Sequence, residues 1–589
     1  MKKSIIILYA SLASMTFSSC DSMFREEPLN KISEKKVWSD PLLLDEYVNG
    51  WYDGMSDGFN TFVYSTIGLM KSSSRYNMIW FADQATVSKN DWYNAGYGDI
   101  LKGNETEITN WAAMKWSNAY LQIQSINTLL ENLGSIAAGE QKERIVGEAH
   151  FLRAYYYYNL WRSFGGPFLI DHTYNPLSNA EKFPRASYAE MVKFIADEAD
   201  KAARNLPVSY EAANKGRVTK GAAIMLKAKA YLWASSPVFQ NKESEWLGFT
   251  SDNSAEMLSK AKAAYEELFA LKAYKLMEVT GSTEDAIAQS YRKIFLTKNS
   301  VESILEYQHA DDGNYATKNG HRLDRESAAP YFTGTTCANV PTHNHVMEYG
   351  MQPGYEYDAT NPYAHRDYRF YANVLYDGAK FRGHEMDIHT ATYKDSRNRD
   401  SVVTGVDLTP YGTSTSAAYT YTGYYMAKFM DESTAIDNNE TYASSQNYII
   451  WRLAEAKLDY AEVLFRLGDT EGALAQVNDI RERAHMNALE SLSWDELVNE
   501  RRVEMAFEET TYWDLLRWGV AVERLNGATS PLKKISISVK NGVRTYSVSN
   551  VHRFPKRMRV FTEKQYYLPI PWSEIRYQNV EQNPEWLEM

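Results

Sequence analysis

The sequence predicts a mainly α-helical protein in which four helix pairs stack into a curved solenoid that cradles one irregular, loop-rich lobe. Three observations carry that reading. Apolar residues recur at steps of three and four over long stretches of the first half. Near the C-terminus, two small-residue-rich amphipathic patterns follow one another between residues 452 and 484. Between 299 and 447 the texture changes to Gly, Asn, Asp, Thr and Tyr, with only short strand-like pieces such as "SILEYQH" and "YYMAKFM".

In chain order, "MKKSIIILYASLASMTFSSC" combines Lys2 and Lys3, an apolar run too short to span a bilayer, and small residues before Cys20. Residues 1–19 read as a lipoprotein signal peptide, with Cys20 as the lipidated residue and residues 20–40 as a polar tether. Removing 1–19 takes two lysines and no acid, so the net charge moves from -12 to -14 and Cys337 is the one further cysteine. That excludes an intramolecular disulfide and a cysteine-based zinc site. Lys and Arg form no long run, so nucleic acid is not an implied partner.

Residues 41–298 hold three of the pairs: 111–133 beside 42–55, 141–164 with 188–205, and 219–236 with 254–270. Tyr155 to Tyr158 are consecutive, and consecutive helical residues point about 100° apart, so the four rings cannot form one flat wall. Tyr156 continues the stripe Ile145, Ala149, Leu152, Leu160, and the other three face neighbouring helices or water. Residues 299–447 form the irregular lobe, where long loops point to function. Residues 448–589 begin with the last pair, in which Gly468 ends one helix and Asp469 or Thr470 caps the next. Its repeat is the tetratricopeptide (TPR) period. A capping box from Ser493 to Glu496 and an extended, Pro-containing tail follow.

Six segments carry a resemblance: "GEAHFLRAYYYYNLWRSFGGPFLI", "GRVTKGAAIMLKAKAYLWASSP", "NPYAHRDYRFYANVLYDG", "RLAEAKLDYAEVLFRLGD", "NERRVEMAFEETTYWDLLRWG" and "YYLPIPWSEI". In this order they resemble the SusD/RagB family of nutrient-binding outer-membrane lipoproteins. The resemblance implies a SusD-like fold, four TPR-like units around an irregular lobe. It further implies a non-enzymatic, cofactor-free, lipid-anchored protein on the outer-membrane surface of a Bacteroidota-type Gram-negative bacterium, one that captures glycans for a SusC-like TonB-dependent transporter. Peptide cargo, as in the RagB branch, and a TPR scaffold that binds only proteins stay open as alternatives.

Catalytic and metal patterns are weak. "GMSDG" matches a nucleophile elbow around Ser56, but a helical pattern precedes it where a strand is required. His343 and His345 lack a third ligand at a recognisable spacing, and Asp311 to Asn314 lacks the alternating oxygens of a calcium loop. Glu500, Arg501, Arg502, Glu504 and Glu508 are spaced as helix-face ion pairs.

A pyranose presents an apolar C–H face and a hydroxyl rim, so a site for it needs exposed rings beside polar groups on loops. With 43 Tyr and 15 Trp the chain is rich in rings. Two segments combine them suitably: Trp92, Tyr93 and Tyr97 among Asn90 and Asp91, and Tyr315, Tyr331, Tyr349 and Tyr355 among Arg322 and Asp324.

Overall fold

The computed structural model describes Glu34 to Trp586 apart from residues 56–57, 60–77, 87–99, 176–180, 311–319, 322, 333–336, 338, 410–418, 435, 437–443 and 552–557. Helix α1 (Pro41–Tyr52) opens where Asp40 accepts from the N–H groups of Leu42 and Leu43, with Pro41 in the first turn, where no N–H is needed. Helices α2 (Glu105–Glu131), α3 (Glu140–Phe164), α4 (Tyr188–Asn205), α5 (Lys220–Ala234) and α6 (Ser254–Ala270) then each pack on the next. Alanines at 222, 223, 228, 230 and 234 are wholly buried in α5 and let its neighbours approach closely. Gly147 serves the same end in α3, since a Cβ there would lie 2.7 Å from Leu206.

The first pair is looser than the repeat implies. α1 lies across both α2 and α3: Tyr47 Oη donates to the Ser125 carbonyl (3.0 Å), Trp51 Nε1 to Ser125 Oγ (2.9 Å) and Tyr52 Oη to Glu148 (2.8 Å). All four rings of the tyrosine run are buried, so none faces water. Tyr156 Oη donates to the Trp51 carbonyl, while Tyr157 Oη donates to Ile170 O (2.9 Å) and accepts from Ile170 N (2.7 Å). Both hydroxyls are thereby satisfied in the core, and the run is packing.

In the lobe, α7 (Glu284–Leu296) packs on the short α8 (Tyr368–Asn373). Apart from two-residue pairings, the strands among the described residues are β1 (Ser303–Tyr307), β2 (Thr390–Lys394), β3 (Asp400–Thr404), β4 (Tyr448–Arg452), β5 (Lys533–Lys540) and β6 (Val543–Asn550). β1 and β4 pair antiparallel, and the other four form one sheet in the order β6-β5-β2-β3 with β5 and β2 parallel. The β5–β6 hairpin, which no sequence expectation covered, therefore returns the C-terminal region to the lobe. Asn541 and Gly542 turn it with φ of 52° and 80°, the left-handed pair of a type I′ turn. Ile535 and Ile537 point inward onto Tyr349, Tyr363 and Phe370.

The last pair, α9 (Leu453–Arg466) and α10 (Thr470–Arg483), follows the expected pattern, with Gly468 at φ 87° and Asp469 as the cap, accepting from Gly472 N at 2.9 Å. α11 (Trp494–Glu504) opens on the Ser493–Glu496 capping box and is followed by α12 (Thr510–Arg517). The charges of α11 do not pair along its own surface as expected. They turn inward to other elements: Arg501 to Asp514 (2.6 Å) and Asp459 (2.7 Å), Arg502 to Asp83 and Glu348 (both 2.7 Å), Glu500 to Arg369 (2.5 Å) and Arg481 (2.9 Å).

One connected network fastens cradle to lobe. Its acids are Glu302, Asp367, Glu500, Glu504 and Glu508, and its bases Arg369, Lys428, Arg452, Arg481 and Arg483. Burial opposes the charge on Glu504, but Arg483, Arg452 and Arg369 hold its carboxyl well below the usual range.

Candidate functional site

Of the residues expected to meet ligand, Asn90, Asp91, Trp92, Tyr93, Tyr97, Tyr315 and Arg322 lie outside the described residues, as do Cys20, Ser56 and the segment from Asp311 to Asn314. Asp324 and Tyr331 are described, and a chain of contacts joins them through the hairpin in which Phe381 pairs with His384. Arg382 and Gly383 turn this hairpin with φ of 50° and 75°. Arg382 donates to Asp324 Oδ1 (3.2 Å) and to the carbonyls of Asp431 and Thr434, and its backbone N–H donates to Glu432 (3.0 Å).

Asp324 was expected on a sugar's hydroxyl rim, and the structure corrects that placement. The residue is 1% exposed. Besides Arg382 it accepts from Asp431 N (2.7 Å), Ser444 Oγ (2.5 Å) and Gln446 Nε2 (2.8 Å), so both oxygens are engaged inside the protein. Burial pushes its carboxyl up against these donors. Its part is to position the hairpin that carries His384.

His384 is the residue the sequence did not flag. Its Nε2 pairs with the buried Asp407 Oδ2 at 2.8 Å, fixing the imidazole plane. The Tyr331 ring lies over that plane at 3.6 Å and 4°, and Phe332 meets both rings edge-on. Tyr331 is nevertheless 49% exposed. One face of the phenol ring is thus held and the other is open, an arrangement suited to stacking against an apolar ligand face. No local sequence signal announces it, because residues 331, 384 and 407 meet only in the fold.

The other tyrosines of the segment divide. Tyr349 is buried and its hydroxyl accepts from Asn373 Nδ2 (2.9 Å), which is packing, whereas Tyr355 is half exposed. His343 and His345 occupy a helical turn. His343 Nδ1 is bonded to Tyr424 Oη (2.9 Å) and His345 Nδ1 to Glu348 (2.7 Å). Burial, then Arg366 and Lys533, lower His343 to about 4, so it is neutral near pH 7. Asp377, Asp387 and His389 approach closely enough to share a cation. Asp377, however, already accepts from Ile388 N (2.9 Å), pairs with His389 Nδ1 (2.8 Å) and accepts from Arg544 Nε (3.1 Å). A pocket of about 70 Å³, partly open to solvent, lies between α3, α9 and α12, lined by Tyr158, Arg162, Trp451, Glu455 and Trp513.

Comparison with known proteins fits this architecture. Residues 301–586 match the family described as "SusD family", and residues 29–232 match "Starch-binding associating with outer membrane". SusD-like protein P38 of Formosa agariphila is 23% identical over 550 residues, 90% of this chain and 94% of that protein. A crystal structure of a SusD-like protein from Bacteroides fragilis superposes with a TM-score of 0.70 at 24% identity, covering 95% of this chain and 100% of the other. Surface glycan-binding protein A from Bacteroides thetaiotaomicron, solved in complex with laminarihexaose, gives a TM-score of 0.60 at 18% identity over 92% of this chain and 99% of that one. With two matches that together run from the first helices to the tail, and the same fold throughout, the chain belongs to the SusD/RagB family.

Proposed function

We propose that this protein captures oligo- or polysaccharide at the cell surface and passes it to a SusC-like TonB-dependent transporter. Cys20 carries the lipid that holds it at the outer membrane. The observation that carries the reading is the half-exposed Tyr331 ring, backed by His384 and Asp407 and set on a lobe tied to a helical cradle. A relative of the same fold was solved with laminarihexaose, which supports a carbohydrate in place of a peptide. Binding of this kind requires no bond cleavage.

Titration calorimetry and affinity gels across a panel of polysaccharides test the proposal. The protein is expected to bind at least one glycan, and Tyr331→Ala to weaken that binding about 5-fold, the equivalent of one ring stack of roughly 1 kcal/mol. A folded protein that binds none of them refutes it. Co-purification with an outer-membrane transporter from the native membrane tests delivery.

A further inference from the structure

We propose that Tyr355 and Tyr357 form a second carbohydrate-stacking ledge, selective for neutral glycan chains. The proposal rests on the function above and adds a site that shares no residue with the Tyr331–His384 pair.

The ledge is built by one folded-back segment. Met351 bridges Arg366 in antiparallel fashion, Gln352 N donates to His365 O (2.8 Å), and Asp367 N donates to Gly350 O (2.8 Å). Gln352 Nε2 ties the segment to Glu284 on α7 (2.6 Å) and to Arg366 O (3.0 Å). Between these closures residues 353–361 are all exposed, yet they are not slack: Tyr355 N donates to Gln352 O (3.1 Å), and Asp358 Oδ1 accepts from both Thr360 N (2.8 Å) and Thr360 Oγ1 (2.7 Å).

Two consecutive residues of the returning arm back the two rings. Tyr355 lies on the His365 imidazole at 3.6 Å and 14°, with His365 held at a left-handed φ of 54° that few non-glycine residues adopt. Tyr357 lies over the Arg366 guanidinium at 5.5 Å. Arg366 is itself buried and donates to the carbonyls of Pro362 (3.1 Å), Val346 (2.7 Å) and Tyr349 (2.6 Å). With their inner faces occupied, Tyr355 and Tyr357 remain 49% and 43% exposed. Fixed rings that stay open to water cost little ordering when a ligand arrives, the condition under which weak stacking contacts yield affinity.

Charge sets the class of glycan. Exposed Glu356 and Asp358 stand beside the rings in sequence and Glu284 lies 3.9 Å from the His365 ring that backs Tyr355, while residues 350–361 contain no lysine or arginine. Arg366, the guanidinium that backs Tyr357, turns its two terminal nitrogens to backbone carbonyls. Carboxylates accept from sugar hydroxyls but repel a uronate or sulfate, so a neutral pyranose chain suits the ledge and an acidic one does not.

The test uses the full protein and a neutral polysaccharide that the wild type binds, with a short oligosaccharide of the same linkage. The wild type is expected to take up two oligosaccharides per chain. Tyr355→Ala/Tyr357→Ala should take up one and retard the polymer at least about 5-fold less, while Tyr355→Phe/Tyr357→Phe retains both properties because stacking needs no hydroxyl. An unchanged melting temperature confirms that truncating these surface rings leaves the fold intact. Glu356→Lys is expected to raise affinity for a uronate-bearing polymer severalfold relative to the neutral one. An alanine double variant with wild-type stoichiometry and retardation overturns the second ledge alone. No gain for Glu356→Lys, or wild-type binding of acidic polymer through these rings, overturns the neutral assignment. A wild type that binds no glycan removes the function on which both rest.

Discussion

Replacing Arg452 by methionine should loosen the junction between cradle and lobe. Arg452 is wholly buried at the end of β4 and donates to Glu508 Oε2 (2.7 Å), Glu508 Oε1 (2.7 Å), Glu302 Oε1 (2.8 Å), Glu504 Oε1 (2.7 Å) and the Glu504 carbonyl (3.0 Å). Without it, Glu504 keeps Arg483 and Arg369, Glu508 keeps Lys428, and Glu302 keeps Arg483. Glu508 Oε2 and Glu302 Oε1 lose the guanidinium, and the connected set falls from five acids against five bases to five against four. Two stranded buried acceptors at about 1–3 kcal/mol each, and one uncompensated charge, place the loss at about 3–5 kcal/mol. Guanidinium unfolding at neutral pH, followed by tryptophan fluorescence, measures it. In Arg452→Met/Glu508→Gln the charges balance again, so the double variant should be less destabilised than the sum of the singles. A single variant within about 1 kcal/mol of wild type, or strict additivity, would refute the reasoning.

Three further outcomes follow from the structure. Burial would raise Glu198, but His150, Arg153 and Lys201 hold it down at about 2, below its ordinary 4.5. An acid depressed in the folded state adds stability above its unfolded pKa that is lost as pH falls toward the folded one. About 3 kcal/mol should therefore disappear between roughly pH 4.5 and 2, and Glu198→Gln should flatten that part of the profile measured by urea unfolding. His384→Ala removes the backing of Tyr331 and should lower glycan affinity severalfold; it also takes one partner from the buried Asp407, which keeps the Asp387 N–H (2.8 Å), so the melting temperature should fall while the protein stays folded, and unchanged affinity would dissociate His384 from the ledge. Burial pushes the Cys337 thiol well above its usual range, so a maleimide near pH 7 should label the Cys337 peptide only after unfolding, as mass spectrometry can show.

The helical half was legible because its signals are local. Ser493 with Glu496, and Gly468 with Asp469, mark helix ends within four residues of themselves, and the structure uses them so. The β5–β6 hairpin carried an equally local signal, Asn541-Gly542 beside alternating Ile535 and Ile537, that the sequence reading did not take up. The charges of α11 misled for the opposite reason. Their spacing matches surface pairs, but Glu500 and Glu504 find Arg369 more than 130 residues away, and nothing in a helical repeat reports which face is buried. Asp324 likewise looks like any loop carboxylate until Ser444 and Gln446 arrive from 120 and 122 residues on. Tyr331 and Tyr349 share composition and context, and only tertiary packing leaves one ring open and closes the other.

Why the lobe should be rigid follows from the strain it tolerates. Phe429, Phe507 and Glu509 all hold left-handed φ, at 70°, 64° and 63°, a conformation that costs non-glycine residues of order 1 kcal/mol or more each. All three adjoin the Lys428–Glu508 pair, in which the buried ammonium donates to Glu508 (2.6 Å) and the Ala506 carbonyl (2.7 Å) and sits 4.2 Å from the Phe295 ring centre. Burial, only partly offset by Glu508, lowers Lys428 to about 8, so near neutral pH it keeps the charge that these partners need. A junction that retains such strain is over-determined by its contacts, and the loops it carries need little further ordering to meet a ligand. One ring stack and a few surface hydrogen bonds, each of roughly 1 kcal/mol, still leave single-site binding weak once association entropy is subtracted. Tightness must then come from linkage of several contacts along one chain, so affinity should climb with glycan length well beyond the span of one ring.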